Sequence, residues 1–140
     1  MTWLIREFTI ADYEGAFSLW QSLPGLGLSA ADEAEKIALF LQKNLGLSFA
    51  AVDGDKLIGT ILGGSDGRRG YIYHLAVHPN FQKRGIGGAL VQSCLTAMRK
   101  SGLQKCHLFV YSNNSAGIRF WEKIGWTFRE DIRVMSFDIK

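Results

Sequence analysis

Leu75-Ala76-Val77-His78-Pro79-Asn80-Phe81-Gln82-Lys83-Arg84-Gly85-Ile86-Gly87-Gly88-Ala89-Leu90 runs from an apolar stretch, through a basic glycine-rich turn, into a helical pattern. That succession is the architecture of an anion site. The first N–H groups of a helix lack intrahelical partners and sit at the positive end of its dipole, so they can face phosphate oxygens. Glycine lets the backbone approach such a ligand closely, and Lys83 and Arg84 add charge at a helix end where cations are otherwise unfavourable. The stretch is not a P-loop, because no Gly-Lys-Ser or Gly-Lys-Thr occurs. It is not a dinucleotide fingerprint either, since the third glycine of that motif would fall on Leu90. The plainer alternative is a tight strand-to-helix turn with solvated cations.

Outward from this stretch, the chain reads as alternating strands and helices. Residues 3–8 alternate like a strand, and Thr9 with Asp12 resembles a capping box that opens a helix carrying Tyr13, Ala16, Phe17 and Trp20. Ser29 and Asp32 open a second helix, with Ile37, Phe40, Leu41 and Leu45 at helical spacing up to Gly46. Strands are expected over 47–52 and 57–62, joined by Asp53-Gly54-Asp55, and over 71–77 after a turn spanning 63–70. A helix over 85–100 and a strand over 106–111 complete a βαβ crossover. A helix over 115–123 and closing strands over 126–129 and 134–139 follow. The expected class is α/β (α+β): a mixed, mostly antiparallel sheet of six to seven strands with about four helices, residues 1–140 forming one domain.

Composition restricts the function. Sixteen basic against 13 acidic residues give a net charge of +3, and the Lys and Arg are scattered, which argues against a nucleic-acid-binding face. No apolar run approaches the roughly 20 residues of a membrane span, and the first residues carry no secretory signal pattern, so no membrane association and a cytoplasmic location are expected. Cys94 and Cys106 form no CxxC pair, and His74, His78 and His107 show no ligand spacing, so neither a disulfide framework nor a metal site is expected.

Gln82-x-x-Gly85-x-Gly87 after Leu75-Ala76-Val77 resembles the (Arg/Gln)-x-x-Gly-x-(Gly/Ala) signature of the GNAT N-acetyltransferase superfamily. Residues 114–126, Asn-Ser-Ala-Gly-Ile-Arg-Phe-Trp-Glu-Lys-Ile-Gly-Trp, resemble its second common segment, and the element order agrees over nearly the whole chain. The Asp66-Gly67-Arg68-Arg69-Gly70 turn is similar to that of small bacterial single-domain members. The resemblance implies an acetyl-CoA-dependent acyltransferase whose partners are acetyl-CoA and an amine acceptor. It implies that strands four and five splay apart and that the pantetheine arm pairs with the backbone of Leu75, Ala76 and Val77. The pyrophosphate would lie on the amides of Gln82, Lys83, Arg84, Gly85, Ile86, Gly87 and Gly88, with Asn114 contacting the pantetheine or phosphate region. The family's direct attack of amine on thioester needs no cysteine nucleophile and no metal. A homodimer joined through the C-terminal strands is compatible with the pattern.

The catalytic groups depart from the family. Its usual tyrosine acid is replaced by Trp121, whose indole N–H is a poor acid, and Phe109 stands where some relatives carry a glutamate base. The remaining candidates are His74 or a water chain as base and Tyr111 as acid, with Tyr73 also on the strands expected to bracket the thioester. On a central strand such a residue is more often a hydrogen-bonded core side chain or a pocket wall. The Trp121 replacement leaves open a second reading, a catalytically weak or inactive acyl-CoA-binding module. The missing carboxylate favours an acceptor of low pKa, since an α-amine near 7.8 is about 14% neutral at pH 7 and a lysine amine near 10.4 only about 0.04%. The acceptor side is expected at the first two helices and their connection, residues 23–29, with Trp20 either lining it or packing the first helix on the sheet.

Overall fold

The computed structural model describes residues 2–139, which group into two compact units, one ending at Phe109 and one beginning at Val110. In the first, β1 (Trp3–Glu7), β2 (Phe49–Asp53), β3 (Lys56–Ser65), β4 (Gly70–Val77) and β5 (Cys106–Leu108) form one sheet in the order β1-β2-β3-β4-β5. The first three pairings are antiparallel and β4 with β5 is parallel, so the sheet is mixed as expected. The parallel pair is connected by α3 (Ile86–Lys100), the expected crossover.

Helices α1 (Tyr13–Ser22) and α2 (Ala34–Lys43) each follow a short 3-10 turn, and the sequence explains why. Thr9 with Asp12, and Ser29 with Asp32, form the two capping boxes, whose side chains take up N–H groups that a helix start leaves unpaired. Ala16, Leu19 and Trp20 of α1 and Ile37 of α2 are buried with Phe8, Ala50, Leu62 and Ala76 of the sheet side. Leu23, Leu26 and Leu28 of the connection pack against that same core. On α3, Ile86, Leu90, Val91, Cys94 and Met98 are the buried face.

Three expectations are corrected. Among the described residues the sheet has five strands, not six to seven: residues 126–129 and 134–139 form no strand, and β5 ends at Leu108 instead of residue 111. Alternation marks a chain that could pair, but a strand exists only where an edge supplies its hydrogen bonds. The turn expected over 63–70 is shorter, because β3 continues through Gly63 and Gly64 to Ser65. Gly63 serves close packing: a Cβ there would meet the Leu47 backbone and come within 2.8 Å of Cys94 Sγ.

The second unit holds α4 (Ser115–Lys123). Asn114 caps it by accepting the Gly117 N–H at 3.0 Å, and Trp121 meets Trp126 edge-on with ring centroids 4.9 Å apart. No helix among the described residues is long and apolar enough to cross a membrane.

Candidate active site

Two features of β4 build the site. The first is its edge. β4 pairs with β5 only at Gly70, Tyr71 and Ile72, whereas β4 itself runs on to Val77, so residues 73–77 leave that edge without a strand partner among the described residues. Leu75, Ala76 and Val77, the expected donor-binding residues, lie on this edge.

Beyond β4, residues 78–85 turn the chain into α3. Gln82 donates its Nε2–H to the Val77 carbonyl at 3.0 Å, and His78 Nδ1 accepts the Asn80 N–H at 3.1 Å. Gly85, at φ 83°, caps α3 in the left-handed region that favours glycine. The first intrahelical bond of this turn runs from Ala89 N–H to Gly85 C=O at 3.0 Å, so the N–H groups of Ile86, Gly87 and Gly88 precede it at the helix mouth. Nothing lies within 4 Å of the position a Gly88 Cβ would take. The Arg84 guanidinium stands 5.2 Å from the Phe81 ring centre, and Lys56 Nζ approaches the same ring at 5.8 Å. Lys56, separated from this segment by more than twenty residues of sequence, joins Lys83 and Arg84 as a cation that no motif signalled. Open space, helix-end N–H groups and cations fit an anionic polyphosphate.

The second feature is a bulge. Leu62 of β3 pairs with Tyr73 and Thr60 with Ala76, so the single residue Ile61 faces two, His74 and Leu75. His74 takes φ 49°, a left-handed conformation uncommon for a non-glycine residue. In a regular strand Tyr73 and His74 would point to opposite faces. The bulge instead lets Tyr73 meet the Phe40 ring of α2 edge-on at 5.9 Å while His74 lies 4.7 Å from the Trp20 ring of α1.

His74 is held from several sides. Its Nε2 is 2.6 Å from Asp32 Oδ1, and both side chains are largely buried. The Thr60 hydroxyl donates to the His74 carbonyl at 2.9 Å and accepts the Trp20 indole N–H at 2.9 Å. Asp32 is anchored in turn: its Oδ2 accepts the Ser29 N–H at 3.0 Å and its carbonyl accepts the Tyr13 hydroxyl at 2.7 Å. Trp20 is fully buried, so it packs α1 on the sheet and supports His74 rather than lining open space.

The other candidates separate. Burial, followed by the neighbouring Tyr71 and Cys106, raises the Tyr73 phenol above its usual pKa, so it keeps its proton across the neutral range. Tyr111 lies beyond the end of β5 and, like Asn114, belongs to the second unit, so it is not on strand five, where it was expected. Burial pushes the Cys94 thiol up to about 12 and Cys106 to about 11, which leaves neither as a thiolate nucleophile near neutrality. Among the described residues no group of three or more His, Cys, Asp or Glu side chains could hold a metal ion. Sequence reasoning missed the pairing of Asp32 with His74. It identified Asp32 as part of a capping box, and no local signal connects two residues 42 apart.

The model of the Acetyltransferase (GNAT) family matches residues 9–126. An acetyltransferase of Pectobacterium atrosepticum is 34% identical over 120 residues, 86% of this chain and 84% of that one. An acetyltransferase of Photorhabdus laumondii is 34% identical over 131 residues, 94% of this chain and 91% of its own length. Among solved structures, the PaiA N-acetyltransferase of Thermoplasma acidophilum in complex with coenzyme A is similar with a TM-score of 0.79 at 25% identity, covering 92% of each chain.

Proposed function

The chain belongs to the GNAT acetyltransferase family, and on that footing we propose that it is an N-acetyltransferase that moves the acetyl group of acetyl-CoA to a primary amine by direct attack in a ternary complex. The observation that carries this reading is the edge of β4, left without a strand partner over residues 73–77 among the described residues and leading straight into the glycine-capped mouth of α3. An extended amide arm can pair with such an edge, and a pyrophosphate can accept from the N–H groups at the helix end. Leu75, Ala76 and Val77 would hold the pantetheine, and the segment from Gln82 to Gly88 the phosphates. Lys83, Arg84 and Lys56 would add charge there.

In the reaction the amine nitrogen attacks the thioester carbonyl, a C–N bond forms, and the nitrogen gives up a proton as the C–S bond breaks. We assign the proton acceptor to His74, whose ring is held against Asp32. The leaving thiolate then takes a proton from Tyr73, Tyr111 or water. The roles of Tyr111 as acid and Asn114 as a donor ligand rest on the resemblance of their segments to the family pattern. Primary amines of low pKa, such as peptide α-amines, suit a histidine base best.

The test is release of free thiol from acetyl-CoA across a panel containing a peptide α-amine, a lysine side chain in an N-blocked peptide, spermidine and an aminoglycoside. Turnover with at least one amine, lost in His74→Ala without loss of acetyl-CoA binding, is the expected result. Binding of acetyl-CoA with no turnover on any amine would favour the non-catalytic module that Trp121 suggests.

A further inference from the structure

We propose that Asp32 is a positioning residue that fixes the tautomer of His74, placing the hydrogen on Nε2 and leaving the lone pair on Nδ1 as the base. The proposal rests on the assignment of His74 as proton acceptor and adds to it the residue that makes the assignment chemically specific. A carboxylate only accepts hydrogen bonds, so the 2.6 Å contact between Asp32 Oδ1 and His74 Nε2 requires a hydrogen on Nε2. A neutral imidazole then carries its acceptor lone pair on Nδ1. When Nδ1 takes a proton from the attacking amine, the positive ring faces an anion already in place, and no group needs to reorganise.

The carboxylate is positioned for this. Its second oxygen is occupied by the Ser29 N–H at 3.0 Å, its backbone carbonyl by the Tyr13 hydroxyl at 2.7 Å, and its own N–H by the Ser29 carbonyl at 3.0 Å. Asp32 is 8% exposed, so the pair lies in a weakly screened setting. The histidine is equally constrained, by the bulge, the Thr60 bond to its carbonyl and the tilted Trp20 ring 4.7 Å away. A capping box needs only one carboxylate oxygen, and here the other is spent on a strand 42 residues away. The ionisable groups around the pair are Tyr13, which donates to Asp32, Glu33 and Glu14, whose charges reach Tyr13, and Tyr73 next to His74 on β4.

Asp32→Asn tests the assignment. Asparagine can still accept the Ser29 N–H, but its amide would donate to Nε2 and move the imidazole hydrogen to Nδ1. Nitrogen-15 NMR of histidine-labelled protein should show Nε2 protonated and Nδ1 bare in the wild type, with the reverse in Asp32→Asn; this reading needs no acceptor substrate. With the panel amine that wild type turns over fastest, kcat should fall by about 10²-fold or more, the acetyl-CoA KM should stay within about twofold, and the acidic limb of the pH–rate profile should shift. His74→Ala should fall as far, and Asp32→Asn combined with His74→Ala no further. Ser101→Ala, which removes a hydroxyl bond to the Ala97 carbonyl at 3.1 Å at the C-terminal end of α3, should keep activity within about twofold. A wild-type His74 protonated on Nδ1 would overturn the proposal. So would full activity in Asp32→Asn with His74→Ala inactive, an outcome that leaves the base assignment standing. Full activity in His74→Ala overturns both.

Discussion

Thr60 shows how much one hydroxyl can connect. It is fully buried on β3, donates to the His74 carbonyl and accepts the Trp20 indole N–H, so a single side chain ties α1 to the bulge of β4. Thr60→Val keeps the shape and removes both bonds. A buried N–H left without a partner costs about 1–3 kcal/mol, so the variant should unfold at correspondingly lower urea concentration with an unchanged m-value. A change below about 0.5 kcal/mol would mean that water or another group satisfies the indole. None of this was legible in the sequence, where Thr60 is one β-branched residue in a strand and His74 one titratable residue in another. The strand itself was legible over 71–77. The bulge was not, because it depends on the pairing of two strands rather than on either one, and with it went the contact between Asp32 and His74.

At the scale of elements, the helices were read well because their signals are local. Thr9 and Ser29 cap where the pattern placed caps, and Gly85 ends the basic turn where the glycine run suggested. The Asp53-Gly54 pair likewise marks the β2–β3 connection, with Gly54 at φ 61°. The glycines at the mouth of α3 act in two different ways, and substitution separates them. Gly85 has a left-handed φ, so Gly85→Ala should destabilise the protein by about 1 kcal/mol. Gly88 is helical with open space where a Cβ would go, so Gly88→Ala should be stabilising by up to about 1 kcal/mol from helix propensity alone. The same methyl would intrude on the proposed pyrophosphate position, so acetyl-CoA should bind more weakly while the melting temperature rises. Opposite signs in calorimetric titration and thermal unfolding are the expected outcome; tighter acetyl-CoA binding in Gly88→Ala would move the phosphates elsewhere on the loop.

For the whole molecule, the five strands found among the described residues and the helices α1, α2 and α3 follow from contacts that the sequence announces by periodicity, whereas residues 126–129 and 134–139 were expected as strands and form none. Residues 127–139 adopt no helix or strand. Their amides should therefore exchange with solvent within seconds to minutes at neutral pH, while those of β2, β3 and the buried face of α3 exchange only through larger openings. Hydrogen exchange followed by mass spectrometry reads both at once. Strong protection over 134–139 would mean that those residues do find a partner edge, and its dependence on protein concentration would say whether the partner is a second copy.

The bulge at His74 and Leu75 divides β4 into two stretches with separate registers, one fixed by Leu62 and β5, the other by Thr60 and Gly59. In evolutionary terms the strand is modular. The side chain at 73, which meets Phe40 of α2, can change without altering the backbone that residues 75–77 present at the open edge. On the proposed function, a lineage can thus drift in its acceptor while the edge offered to the acetyl donor is inherited intact.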